Sequence, residues 1–573
     1  MNAPPETPTL DQLREPSAML PTDVFCPSKN AKLARASFSG VIGLISSPIN
    51  FTGPAFDPVR LGKRVDCFPA VNLSFVAADG KFCPGSRQIH RETDSISFWQ
   101  IIPAPGRVWR EPGDAHCWRA GFVFTLGNNI DHLSYHGLGV FIIDLDQKTV
   151  GLRFQATPGG VPIELPFGLR LWGYASGKLR EYEPTGSIAV SPPTTRVNAQ
   201  PPKLSPWSAL YDRCPTELLD AVGQGYGAQT SVSCALVAGN EIYATTYHTG
   251  CGEHPDLLGL RQGIWSATKS AGAGVSLLYL AERYGAEILD LRVSDLLQIT
   301  AAHDGWQNVH LRDCFNMSSG IGDLAPQPEP PEIFADYDML YEGESESLQR
   351  YLRWFRGPSC DERLAAAFSC GNYPWEPGQV ARYRDQDFFV LAAAMDALVK
   401  QKEGPRASLW TVIEKEVLAP IGLEHAVVNR TVEPNGTHGI PLLGGGLFLT
   451  LVEAARVATL YHNLGRGAGR QLLHRQSVIE ATDPNTLRGL PSGIRNDVGE
   501  IYYHMSFWRR PYRTRGGKLI YLCAMFGYGG NEIVLLPNAM TAIRFGHDNP
   551  RDEMTYDVTP LVRIAEHLCS FDG

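Results

Sequence analysis

Between residues 34 and 182 apolar residues come in short runs, many alternating with polar ones, and the runs end at Gly, Pro, Asn or Asp. Stretches 38–45, 70–77, 96–102, 121–126, 138–145 and 169–174 fit the two-residue period of a strand, and few segments hold a helical period over eleven residues. This predicts an all-β domain over 31–183, a sandwich or a barrel. Residues 184–206 then carry six prolines in 23 positions. Such a run can continue neither a helix nor a central strand, so it is read as a Pro-rich linker. Beyond it the texture changes. Alternation over 232–247 predicts a strand pair turning at Gly239-Asn240. Helical spacing covers 266–284, 387–402, 409–418 and 451–463, and strands return at 519–526, 531–536 and 541–545. Strands at both ends with helices between them predict an α+β domain over 207–573, its sheet joining the two ends. Residues 1–30, opening in Pro and Thr, are expected to form a flexible tail.

Composition narrows the classes. The chain has 573 residues, 43% of them hydrophobic, which excludes a disordered polymer. Its formal charge is −9 and only 12 residues are lysine, so no basic footprint for nucleic acid exists. The 12 cysteines are scattered with no CxxC pair and are read as reduced thiols. The N-terminus lacks a basic start followed by an apolar run, and no stretch reaches about 18 apolar residues. No secretory signal and no membrane span are therefore expected, and the default location is cytoplasmic. Trp99, Trp109, Trp118, Phe122 and Phe124 are read as core of the β domain. A wall at a site mouth or a homo-oligomer interface is the smaller alternative.

The candidate chemistry begins at Ser266-Ala267-Thr268-Lys269, the one Ser-x-x-Lys in the chain, placed where the 266–284 helix should start. Three residues make about one turn, so both side chains share a face. A lysine stripped of its proton can take the serine proton, and helix-start N–H groups can hold an oxyanion. Alone, the tetrad reads more readily as a capping serine beside a solvated lysine, and the motifs around it change that reading. The second element is Tyr383-Arg384-Asp385, where positions two apart in extended chain point the same way. The third is Gly527-Tyr528-Gly529-Gly530-Asn531 between two strands, where glycines allow backbone to approach a ligand. There is no Gly-x-Ser-x-Gly and no His-Glu-x-x-His, so neither the α/β-hydrolase elbow nor that zinc site is expected. His132 and His136 are given non-metal roles. The glycines of Gly465-Arg466-Gly467-Ala468-Gly469 lack a preceding strand and a P-loop lysine.

The order Ser-x-x-Lys, Tyr-x-Asp, then a short Tyr-Gly-Gly strand motif resembles serine hydrolases of the class C β-lactamase and penicillin-binding-protein type, with their esterase, amidase and nylon-oligomer-hydrolase relatives. Further landmarks fall in the family's order: Asn316-Met317-Ser318-Ser319-Gly320-Ile321 within 311–321, Glu376-Pro377-Gly378, Leu418-Ala419-Pro420-Ile421-Gly422-Leu423, and Gly444-Gly445-Gly446-Leu447-Phe448. The resemblance implies a β-lactamase-like catalytic domain, antiparallel sheet plus helical lobe, preceded by the all-β domain. It implies Ser266 as the nucleophile of an acyl-enzyme, with Lys269 and Tyr383 sharing base and acid work. It also implies an oxyanion and substrate-binding set drawn from Ser266, Asp385, Tyr528, Gly529, Gly530 and Asn531. Neither metal nor cofactor is expected, and the expected partner is a small-molecule ester or amide.

Two positions depart from the family. Asp385 stands where Asn is more usual, and a carboxylate there would pair with Lys269, raise its pKa and shift weight to Tyr383 as proton shuttle. Tyr528 stands where β-lactamases carry lysine, which counts against β-lactam or cell-wall substrates and favours other esters or amides. Arg382 and Arg384 are read as surface arginines ahead of an anion contact. The alternatives kept open are a peptidase for small or D-residue-containing peptides, and a non-catalytic binding protein with the same fold.

Overall fold

The structure, a computed structural model, describes residues 7–34, 37–90, 96–184, 202–222, 231–322, 346–423, 425–547 and 558–572. Of the expected 184–206 linker, 185–201 lies outside these residues, as does 326–342, and Lys203–Pro206 forms a strand where linker was expected. The chain divides into two compact units: 1–196 with 246–263, and 197–245 with 264–573.

The first unit is built on eight strands: β1 (Phe38–Leu44), β2 (Val71–Ala78), β3 (Lys81–Pro84), β4 (Gln100–Arg110), β5 (Trp118–Gly127), β6 (Tyr135–Asp144), β7 (Thr149–Pro158) and β8 (Arg170–Glu183). Each pairs antiparallel with the next from β2 to β8, and β1 pairs with both β8 and β2. The circuit therefore closes as a barrel, one of the two forms predicted. Its core is aromatic: Phe38, Phe75, Phe82, Phe122, Phe124, Phe141 and Phe154 are all buried, with Trp99. Glycines make room for these rings. At Gly137 a Cβ would lie 2.2 Å from the Phe124 ring, and at Gly173 2.5 Å from Phe154.

Two features of this unit differ from the sequence reading. Residues 7–30, expected within a flexible tail, are packed. Leu13 and Phe25 are buried, Arg119 donates to the Pro8 carbonyl at 2.9 Å, and the Gln155 amide bonds both backbone groups of Leu20. Residues 246–263, expected in the catalytic domain, bond to the barrel strands instead. Thr125 Oγ1 donates to the Arg261 carbonyl at 2.9 Å, and Gln262 Nε2 to the Gly159 carbonyl at 2.5 Å.

The second unit holds a nine-stranded sheet: β9 (Lys203–Pro206), β10 (Ser231–Ala238), β11 (Glu241–Ala244), β12 (Leu490–Arg495), β13 (Glu500–His504), β14 (Phe507–Arg513), β15 (Leu519–Gly527), β16 (Asn531–Leu535) and β17 (Thr541–Gly546). Its order is β9-β11-β10-β17-β16-β15-β14-β13-β12, antiparallel except for the β9–β11 pair. β10 from the start of the unit lies beside β17 from its end, as predicted. The turn at Gly239-Asn240 joins β10 to β11, with Gly239 at φ +60°. The helices that matter to the site are α1 (Val275–Tyr284), α2 (Glu346–Arg356), α3 (Cys360–Phe368), α4 (Asp385–Glu403) and α5 (Leu451–His462). α4 is buried through most of its length, which is why its apolar residues are not confined to one stripe. Among the described residues no helix is long and apolar enough to cross a membrane.

Candidate active site

Ser266 lies in a one-turn 3₁₀ helix, Trp265–Ala267, that leads into a π-helical turn, Lys269–Gly274, and then α1. The local sequence explains the irregularity. Gly272 and Gly274 favour neither strand nor helix, and an added Cβ at Gly274 would sit 2.8 Å from the Tyr461 hydroxyl of α5. Trp265 adopts φ +48°, a left-handed conformation that costs a bulky residue on the order of 1–3 kcal/mol. The strain falls on the residue before the serine, where surrounding packing holds it. Trp265 is buried, edge-on to Tyr528 at 5.3 Å and stacked on Phe355 of α2 at 6.4 Å.

Lys269 is fully buried, and its Nζ is the centre of the site. Ser266 Oγ lies 2.8 Å away, Tyr383 Oη 2.9 Å, Asp385 Oδ1 2.5 Å and the Gly444 carbonyl 2.8 Å. Of the four side chains, Lys269, Tyr383 and Asp385 are buried and Ser266 alone is partly exposed. Tyr383 and Asp385 reach the lysine together because Arg384 between them is extended, at φ −144° and ψ 109°, and α4 starts at Asp385. That chain is pinned by backbone bonds to Met317: Arg382 N–H donates to its carbonyl at 2.8 Å and Arg384 N–H to its sulfur at 3.3 Å. Trp508 of β14 stacks on the Tyr383 ring at 5.5 Å.

Burial pushes the Lys269 ammonium down, but the charges and hydrogen bonds of Asp385 and Tyr383 outweigh it, and the net shift is upward. Tyr383 is also held above its ordinary value, by burial first and by Asp385, against the lowering pull of Lys269. Lys269 thus rests as an ammonium against Asp385, and the Tyr383 phenol rests neutral. This is the consequence expected of a carboxylate at position 385.

The hairpin at 527–531 lies at the Ser266 turn. An added Cβ at Gly527 would stand 2.0 Å from the Ile264 carbonyl and 3.1 Å from the Ala267 nitrogen. Tyr528 packs on Trp265, and Gly529 and Gly530 both take φ +80° to turn the chain. Asn531 closes the hairpin opposite Gly527. Its amide donates to the Tyr528 carbonyl at 2.8 Å, and its Oδ1 accepts the Gly546 N–H at 3.3 Å. The structure therefore brings Ser266, Lys269, Tyr383 and Asp385 into one hydrogen-bonded group and sets the hairpin beside it.

Arg382 and Arg384 are not on the surface. Both are buried: Arg384 pairs with Asp387 at 2.6 Å, and Arg382 lies over the Tyr373 and Trp375 rings at 5.0 and 5.6 Å. Two functional neighbours escaped the sequence reading. The Gly444 carbonyl had a family segment to mark it but no side chain to suggest a role. Tyr351 of α2 donates to Asp385 Oδ2 at 3.0 Å and belongs to no motif. In the other unit, His132 and His136 are buried, and Asp131 accepts the Ile163 and Glu164 N–H groups. Among the described residues one group, His116, Cys117 and Asp144, brings three metal-type ligand atoms within 4.8 Å. There His116 Nε2 and Asp144 Oδ2 already share a 2.9 Å hydrogen bond.

No protein-family model matches the chain, and neither does any curated protein. Solved structures do. A protein described as a 6-aminohexanoate-dimer hydrolase from Bacillus anthracis is 17% identical, over 62% of this chain and 81% of its own, with a TM-score of 0.44. A D-stereospecific amidohydrolase from Streptomyces sp. is 13% identical over 62% and 99%, at 0.40. A penicillin-binding-protein homologue from Caulobacter crescentus is 15% identical over 62% and 98%, at 0.39. At such identities and scores the likeness says nothing of activity. These matches, with class C β-lactamases beside them, are the group that the Ser-x-x-Lys, Tyr-x-Asp and Tyr-Gly-Gly motifs resemble.

Proposed function

We propose that this chain is a serine hydrolase that cleaves a small-molecule ester or amide through an acyl-Ser266 intermediate. One observation carries the reading: Lys269 Nζ bonds both Ser266 Oγ and Tyr383 Oη in a buried cluster whose partly exposed member is the serine. A hydroxyl so placed has a route for its proton and an opening for a carbonyl carbon. In this reading Ser266 attacks, Lys269 receives its proton, and Tyr383 delivers one to the leaving group. The N–H groups of Ser266 and Asn531 hold the oxyanion, and each such donor is typically worth about 10²–10³ in rate. A tyrosine at 528 supplies no fixed cation for a substrate carboxylate, which favours uncharged acyl groups. All twelve cysteines are free thiols, which supports a cytoplasmic setting.

The test is covalent labelling. A fluorophosphonate is expected to add one adduct to the wild-type protein and none to Ser266→Ala, read by intact mass. Absence of an adduct on folded wild-type protein would leave a binding protein instead. A panel of p-nitrophenyl acyl esters against short peptide amides separates an esterase from a peptidase, and faster turnover of the esters is expected.

A further inference from the structure

The hydrogen bonds at Lys269 Nζ carry one more inference, which rests on the hydrolase reading above. Two of its four neighbours, the Asp385 carboxylate and the Gly444 carbonyl, can only accept. An ammonium commits two of its three protons to them and aims the third at the hydroxyls of Ser266 and Tyr383. In that state the nitrogen has no lone pair for the serine proton. A neutral amine with its two protons on the same acceptors turns its lone pair to the hydroxyls. The dormant and armed states differ by the residence of one proton.

We propose that Asp385 stores this proton, and that Tyr351 is a positioning residue that permits it by reversing the direction of its hydrogen bond. Tyr351 Oη lies 3.0 Å from Oδ2, the oxygen turned away from the lysine. Towards a carboxylate its hydroxyl donates; towards a carboxylic acid it accepts. Lys269 passes a proton to Asp385, and a half-turn about Cβ–Cγ, a soft two-fold torsion, sets the protonated oxygen against Tyr351. The other oxygen still accepts from the amine. Ammonium and carboxylate have become amine and acid with no change of net charge. Ser266 Oγ then bonds the carbonyl carbon as its proton moves to Lys269 Nζ, which leaves an ammonium and an oxyanion. As the tetrahedral species collapses, the bond to the leaving group breaks, and that group takes the Tyr383 proton. Tyr383 takes one from Lys269. Water repeats the sequence, releasing the acid and returning the proton to Ser266.

The surroundings suit this exchange. The pairing outweighs desolvation at rest, but desolvation opposes it and so narrows the gap to the neutral form, and Lys269 and Asp385 are both buried. Among the described residues Tyr383 and Tyr503 also face the pair, beside Tyr351, and burial pushes both of those phenols up, so neither competes for the proton. Arg384, next to Asp385 in the chain, is turned to Asp387.

The experiment is the pH profile of kcat/KM on an activated ester for wild type, Asp385→Asn and Tyr351→Phe. In the wild type the arming transfer is internal, so the profile is expected to be flat above an acid limb set by the carboxylate. In Asp385→Asn the lysine must release its proton to water, and the limb is expected to move up by about one pH unit or more. In Tyr351→Phe, kcat is expected to fall about tenfold with KM held, and the limb to rise because the carboxylate has lost a donated hydrogen bond. An unmoved limb in Asp385→Asn overturns the storage role. A Tyr351→Phe variant that loses kcat with an unmoved limb overturns the positioning role. Fluorophosphonate labelling of the same wild-type preparation keeps the two readings apart. A labelled serine with an unmoved limb rejects this inference alone, and an unlabelled one rejects the hydrolase.

Discussion

Gly527 is the residue at which the smallest change should disturb the chemistry most. It lies at the end of β15 against the carbonyl of Ile264 and the nitrogen of Ala267, both backbone atoms on either side of Ser266. A methyl group there cannot be absorbed by a side-chain rotation, so the Ser266 turn must move. Gly527→Ala is expected to cost about 1–3 kcal/mol by urea denaturation. It should also slow fluorophosphonate labelling of Ser266 by more than tenfold, because geometry within about 1 Å decides such rates. A variant that labels at the wild-type rate would show that the turn yields freely. The strained Trp265 beside it fits the same picture: a turn held in an unfavourable conformation by Phe355 and Tyr528 presents the hydroxyl at a fixed angle.

At the scale of elements, the position of Tyr383 and Asp385 depends on how the start of α4 is held. Arg384, with no exposed surface, bonds Asp387 one turn on and the Ala367 carbonyl of α3. Burial raises the Asp387 carboxyl against the lowering charge of Arg384, so this pair is not cheap to keep. Removing one partner strands the other in a dry interior. Asp387→Asn is expected to destabilise the protein by about 3 kcal/mol or more by chemical denaturation. Replacement of both by apolar residues should cost less than either single change, and a double-mutant cycle measures this. These positions also show where reading by local pattern stops. Two arginines flanking a tyrosine look solvated in one dimension, because nothing in the pattern announces that Arg384 is buried with Asp387 or that Arg382 lies over Tyr373 and Trp375.

For the whole molecule, both units bury histidines in neutral form. Burial lowers His254 in the first unit to about 4, and His462 and His504 in the second to about 4. An unfolded histidine takes its proton near pH 6.5. The fold thus binds fewer protons than the unfolded chain between those values. The stability these residues contribute is complete above about pH 6.5 and is lost as the pH falls towards 4. Urea midpoints of both units are expected to be lower at pH 5 than at pH 7.5, and equal midpoints would contradict it. The barrel interior is a stack of phenylalanines with glycines opposite them, a packing solution more than a binding one.

Periodicity alone determined most elements of this protein. Alternation marked six of the eight barrel strands, all but β3 and β7, together with the β10–β11 pair and the closing strands β15 to β17, and helical spacing marked α1, α4 and α5. Two local spacings also marked the candidate site: three positions from Ser266 to Lys269 and two from Tyr383 to Asp385, which set each pair in one direction for reasons of backbone geometry. The consequence of an aspartate at 385 was legible too, because charge acts the same way wherever it is buried. Closure of the barrel, the order of 7–30 and the allegiance of 246–263 were not, since each is settled by hydrogen bonds to distant strands. The site itself was decided only by the fold. Lys269 reaches 175 positions along the chain to the Gly444 carbonyl, and Asp385 is met by a tyrosine from an unmarked helix. A sequence records which face a side chain takes; only packing in three dimensions decides which partner it meets there and which proton the two will share.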